Sequence, residues 1–193
     1  MPNYICVQCG NQFGATEKAP NRCPICEDPR QYVNPNGQTW TTIEAMRRDY
    51  HNVLGPLEPG LTEIGTAPKF GIGQRALLVQ TPKGNVLWDC LSLIDDATVE
   101  AVGALGGIAA LAMSHPHMFG SMVAWSHAFG HAPIYLHADF EAWVQRPDPV
   151  IKYWQGDRHD LDAGPSLYRC GGHFTGSTVL LWQPGAEGRG VLL

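Results

Sequence analysis

Short apolar runs recur along the chain from Leu61 to the C-terminus, each bounded by glycine, proline or aspartate. Residues 75–80 (Arg-Ala-Leu-Leu-Val-Gln) read as a strand. Residues 84–89 (Gly-Asn-Val-Leu-Trp-Asp) read as its hairpin partner after a Pro82-Lys83-Gly84-Asn85 turn. A helix is predicted over 98–105, with a buried strand over 108–113 behind it. A second helix over 121–129 precedes a strand over 132–137, and further strands are predicted over 150–154, 167–170 and 178–182. Strands alternating with helices predict a layered α/β domain over residues 61–193. No internal repeat or low-complexity tract interrupts the pattern.

The first 60 residues have a different texture. Residues 1–30 carry few apolar groups, chiefly Tyr4, Ile5, Val7, Phe13 and Ile25, too few for a core without a staple. Four cysteines supply one, as Cys6-x-x-Cys9 and Cys23-x-x-Cys26. Each pair aims two thiolates at one ion, and the spacer lets the second knuckle turn back to close a four-sulfur tetrahedron. Two disulfides in a small secreted domain are the competing account, but nothing secretory accompanies these cysteines. Residues 31–60 read as a connector holding Pro35, Asn36-Gly37, Pro56 and Pro59-Gly60, with a short helix over 42–51 opened by a Thr41-x-x-Glu44 capping box.

Composition narrows the function classes. Of 193 residues, 44% are hydrophobic and 16% charged, which suits a globular fold. The net charge of −5 gives no electrostatic support for nucleic-acid binding. The first residues lack a signal-peptide pattern, and no apolar run reaches the roughly 18 residues of a membrane span. A reducing cytoplasm is the expected location. Cys90 and Cys170 are expected to be buried small hydrophobes.

Candidate chemistry lies in the histidines. His115 and His117 follow the strand over 108–113 directly, as Ser114-His115-Pro116-His117. A His-x-His pair at a strand end can point both imidazoles at one ion, although two histidines bonded to nearby backbone would look the same. His173 sits in Gly171-Gly172-His173-Phe174-Thr175-Gly176-Ser177, a turn flexible enough to bring one imidazole into a shared site. His127 and His131 suit a helix end, His137 is expected to be satisfied locally, and His51 and His159 are expected at the surface.

These motifs, in this order, resemble the metallo-β-lactamase-fold metallohydrolases. There a His-x-His-x-Asp-His motif ends a strand, a later Gly-His-x-x-Gly-Ser turn gives a third histidine, and the first hairpin ends in an aspartate near the site. The resemblance covers residues 61–193. It implies an αββα sandwich, His115, His117 and His173 as ligands of a first zinc or iron, and Asp89 behind them, holding an imidazole N–H or a ligand water. It implies a metal-dependent hydrolase of a small ester, thioester or lactone. Which side chain serves as general base stays open among His127, His131, His137 and His159.

Two departures qualify this. Phe119 and Gly120 stand where the family places the Asp and His of a second metal. The final residues, Gly190 to Leu193, resemble a strand just before the family's bridging aspartate, so an incomplete sandwich is expected. Its exposed sheet face would favour a homodimer or a protein partner. The second reading is a catalytically impaired scaffold whose zinc ribbon docks a partner. The ribbon, as Tyr4-x-Cys6-x-x-Cys9-Gly10 with Cys23-Pro24-x-Cys26, is also similar to rubredoxin-like iron modules, and an iron-loaded redox protein is the third reading.

Overall fold

The structure, a computed structural model, describes residues 1–28 and 34–193. At its start, β1 (Asn3–Cys6), β2 (Gln12–Ala15) and β3 (Trp40–Thr41) make a small antiparallel sheet in the order β2-β1-β3. Ile25 and Phe13 are buried here together with the four cysteines, so thiols form much of this small core. The expected ribbon-to-connector boundary at residue 30 lies outside the described residues. The helix predicted over 42–51 is a single turn, α1 (Ile43–Met46). Thr42, one residue later than expected, caps it, its hydroxyl accepting from Ala45 N at 3.2 Å.

His51 opens a strand instead. This strand, β4 (His51–Glu58), lies within the predicted connector yet forms one edge of a seven-stranded sheet. It is followed by β5 (Leu61–Ala67), β6 (Arg75–Val79) and β7 (Val86–Trp88), paired as an antiparallel meander. The sheet then turns parallel through β8 (Ala110–Ala112), β9 (Ile134–His137) and β10 (Ile151–Trp154). Parallel neighbours need crossovers: α2 (Asp96–Ala104) joins β7 to β8, α3 (Met122–Ala128) joins β8 to β9, and a 3-10 segment (Ala138–Trp143) lies between β9 and β10. The first crossover helix starts two residues earlier than predicted because Asp95 caps it, accepting from Thr98 N at 2.7 Å.

A second sheet, β11 (Arg158–Asp160), β12 (Ser166–Arg169), β13 (Thr178–Trp182) and β14 (Val191–Leu192), is antiparallel in sequence order. The period-two alternation of the large sheet sorts its side chains between two cores. Leu78, Leu87, Leu111, Ile134 and Leu136 face the helices with Val102, Val123 and Trp125. Leu77, Val79, Val86, Trp88 and Ala112 face Leu167, Leu180 and Trp182 of the small sheet. Helices, large sheet and small sheet are therefore stacked layers, each fully buried large side chain contributing about 1.5–3 kcal/mol. At one end of the stack the C-terminal ends of β7 and β8 meet the loop between β12 and β13. Among the described residues no helix is long and apolar enough to cross a membrane.

Candidate metal centres

After β8 the chain leaves the sheet through Met113 and Ser114, and Pro116 opens a 3-10 turn between His115 and Met118. His173 arrives from the β12–β13 loop, where Gly171 and Gly172 take φ of +65° and +85°, a region side chains disfavour. That loop is closed by Phe174 N donating to Ser177 Oγ and Ser177 N donating to Phe174 O, both at 3.0 Å. Thr178 then staples it to the other segment: its N–H donates to Ser114 O at 2.9 Å and its hydroxyl to Met113 O at 3.0 Å. The three imidazoles converge, with one ligand atom from each within 4.8 Å of the others. His117 Nδ1 and His173 Nε2 are 3.1 Å apart. A tetrahedral zinc with bonds of about 2.0–2.1 Å needs an edge of about 3.3 Å, so the set fits. His117 is buried and His173 exposed, which leaves the centre open to solvent on one side.

Burial lowers the His115 pKa to about 4, with His117 and His173 adding to the effect. This imidazole is neutral near pH 7, the state that binds metal. Its tautomer is set from behind. Asp89 follows β7 at a φ of 62°, a conformation aspartate tolerates, and its Oδ1 accepts from Ser114 N at 2.7 Å. Its Oδ2 accepts from Ser114 Oγ at 2.9 Å, and that oxygen lies 2.9 Å from His115 Nδ1. With Asp89 ionised, the single serine proton goes to the carboxylate, so the oxygen accepts from His115 Nδ1–H and Nε2 keeps its lone pair for a metal. Asp89 thus reaches the imidazole through Ser114, not directly as the sequence suggested. Burial raises the Asp89 carboxyl to about 7, partly offset by the two bonds from Ser114.

The four cysteines form the other cluster, fully enclosed, with ligand atoms within 4.8 Å of one another. Cys6 and Cys26 are 3.6 Å apart at sulfur, as are Cys9 and Cys23. Edges of that length match a tetrahedron of Zn–S bonds of about 2.3 Å and exceed a disulfide bond of about 2.05 Å. Hydrogen bonds from Cys23, Cys26 and Cys9 lower the Cys6 pKa. The same close sulfurs raise Cys9 and Cys26. One thiolate forms readily and the next are opposed, a cost that a divalent cation removes.

No family model matches the chain. Over 195 residues it is 49% identical to the uncharacterised protein YmaE of Bacillus subtilis (strain 168), covering all of this chain and 71% of that one. The chain belongs to the YmaE family. Among solved structures, this YmaE-family fold is similar to three metallo-β-lactamases. One is a HARLDQ-motif mutant enzyme from Cronobacter sakazakii, with a TM-score of 0.54 and 18% identity over 72% of this chain and 60% of that one. The second is SMB-1 in complex with mercaptoacetic acid, with a TM-score of 0.53 and 15% identity over 74% and 61%. The third is DIM-1 exposed to ceftazidime, with a TM-score of 0.54 and 12% identity over 67% and 64%. The likeness gives the fold: a metallo-β-lactamase-like α/β sandwich preceded by a four-cysteine cluster. It spans less than two thirds of each of these enzymes.

The YmaE-family chain handles the remaining expected positions in specific ways. Phe119 is buried edge-on to Phe140, and Gly120 has φ of +50° with its missing Cβ position 2.5 Å from Leu91 O. A ligand side chain at residue 120 would strike backbone, so the departure is built into the packing. None of the four candidate bases belongs to the clusters found among the described residues. His127 Nε2 meets Asp148 Oδ2 at 3.1 Å, and its ring lies 4.4 Å from that of His131. His137 Nε2 donates to Gly156 O and its Nδ1 accepts from Asp139 N, both at 3.2 Å. His159 is half-buried and stacked on Trp154 rather than fully at the surface. Cys90 is buried as expected, whereas Cys170 is exposed at a strand end. Ser114 carries a local signal in its position beside His115, whereas nothing local marks the buried amides of Gln74, which donates to Cys9 O and His117 O, and Asn11, which donates to Pro116 O.

Proposed function

We propose that the protein is a metal-dependent hydrolase acting on a small ester, thioester or lactone. The observation that carries this is the convergence of His115, His117 and His173 from two sheets onto a point open to solvent. A zinc or iron ion at three nitrogens supplies Lewis acidity and a lowered water pKa. The chain's own residues do the rest. Ser114 and Asp89 fix the His115 tautomer, and His173 Nε2 and His117 Nδ1 face each other across the centre. With Phe119 and Gly120 unable to ligate, the site is a one-metal site. Zinc is our assignment for the four-cysteine cluster, with iron the competing ion. Four cysteines gathered as metal ligands, with none of the six paired in a disulfide, support a reducing, cytoplasmic setting.

The test combines metal analysis with a screen of chromogenic esters, thioesters and lactones. The parent should hold about two metals per chain, one for each cluster, and His117→Ala about one, with hydrolysis lost. A parent holding about one metal and turning over no substrate would overturn the proposal in favour of the docking-scaffold reading. A red, visible-absorbing protein as isolated would point to iron in the four thiolates and to the redox reading.

A further inference from the structure

The four-cysteine module does not hang from the body by a tether; its backbone is bonded into the histidine segment. Two buried side-chain amides make the connection. Gln74 Nε2 donates one hydrogen to Cys9 O at 2.7 Å and the other to His117 O at 2.9 Å. Asn11 Nδ2 donates to Cys9 Sγ at 3.6 Å and to Pro116 O at 3.1 Å. Each amide thus spends one N–H on the first thiolate knuckle and one on His115-Pro116-His117. Gln12 N adds a third link, to Gly120 O at 2.9 Å. Space between the parts is minimal: a Cβ on Gly10 would fall 2.4 Å from both Gln74 Oε1 and Ser92 Oγ. The third ligand is braced as well, because Trp143 packs on the cysteine core and edge-on to Phe174 at 4.9 Å.

The geometry points to Gln74 and Asn11 as positioning residues that make the affinity of the three-histidine centre depend on the order of the four-cysteine module. This rests on the reading that the histidines bind metal. A carbonyl held by a buried amide fixes the adjacent peptide planes, and with them the direction of the His117 imidazole. The module is short of apolar residues, so its order comes from its own metal. An ion among the thiolates therefore holds Cys9 O and Cys9 Sγ in place, and these hold Gln74 and Asn11 against the ligand segment. By linkage, metal at the histidines strengthens metal at the cysteines by the same factor.

The test uses cobalt(II) on the full chain, since thiolate-bound and imidazole-bound cobalt absorb differently. Gln74→Met keeps length and burial and removes both donors. We expect its four-thiolate spectrum to match the parent's. Its histidine-site affinity should fall about tenfold or more, the usual scale for partners behind metal ligands, with a shifted imidazole-cobalt band. Should Gln74→Met fail to fold by circular dichroism, Asn11→Ala carries the same expectation at the histidine site, while its thiolate band shifts because the N–H to Cys9 Sγ is lost as well. Parent-like affinity and spectrum at the histidines in a folded variant would overturn the inference. A parent that takes up cobalt only at the thiolates is a separate result and removes the hydrolase reading along with it.

Discussion

Asp89→Asn tests the chain of bonds that sets the His115 tautomer. The amide matches the carboxylate in shape, and asparagine tolerates a φ of 62° as well as aspartate does. What changes is that one acceptor becomes a donor and, above the Asp89 pKa of about 7, a negative charge is lost. If Oδ1 keeps the 2.7 Å bond from Ser114 N, Nδ2 faces Ser114 Oγ and must donate to it. The hydroxyl then turns its proton toward His115 Nδ1, and the imidazole carries its hydrogen on Nε2, inside the metal centre. A metal must reverse that arrangement to bind. Losses behind metal ligands run to about 10–100-fold in affinity, or about 1.4–2.7 kcal/mol. The opposite amide orientation sets a buried N–H against Ser114 N–H and costs about 1–3 kcal/mol of fold stability. The assay is chelator competition at pH 8, above the Asp89 pKa of about 7, with the thiolate site already loaded, alongside urea unfolding. Ser114→Ala, which keeps the carboxylate and removes the relay, should lose metal to a similar degree. An Asp89→Asn protein with parental affinity and parental unfolding midpoint would refute the tautomer argument.

Other expectations follow from the same geometry. Gly120→Ala should destabilise the protein by at least about 1–2 kcal/mol in urea unfolding, because its Cβ meets Leu91 O at a φ of +50°. In metal-free protein Asp89, whose folded pKa is raised from 3.8 to about 7, should contribute a loss of stability as pH rises from about 4 to about 7, visible as a difference from Asp89→Asn. The sign is opposite for His115: its pKa, lowered from 6.5 to about 4, gives a contribution present above 6.5 and lost as pH falls through 4, visible as a difference from His115→Gln. With the cysteine site loaded, a thiol reagent should modify one cysteine quickly, the exposed Cys170, and Cys170→Ser should abolish that phase. Chelation should then expose the four cluster thiols while Cys90, buried and with its thiol pKa raised, still resists.

Much of this arrangement could be read along the chain because it rests on local signals. The β6–β7 hairpin, both crossover helices and the strand before His115 follow from periodicity and turn residues, and the three histidines and four cysteines stand in recognisable spacings. What stayed hidden depends on partners far away in sequence. Strand β4 carries Pro56, which reads as a break, yet an edge strand accepts a proline on the side that needs no partner. Strand β11 is Arg-His-Asp, with no apolar alternation to announce it, and exists because β12 pairs with it. Helix α1 is shorter than the capping pattern predicts: Thr42 rather than Thr41 caps it, it ends at Met46, and the sheet takes His51. The hairpin-end position of Asp89 puts it near the imidazoles, but Ser114 lies between them, a contact that exists only in three dimensions. Gln74 lies 65 residues from Cys9 and 43 from His117, so nothing local marks it as the link between them.

The split origin of the histidines has a kinetic consequence. His117 and His173 are 56 residues apart, in segments that leave different sheets, so their 3.1 Å approach exists only once the two layers have docked. Closing so long a loop is slow compared with forming a helix or hairpin, which makes the ligand set one of the last features to assemble during refolding. A coloured ion captured there would act as a clock for inter-sheet docking, its absorbance rising after the far-ultraviolet signal of the strands is complete.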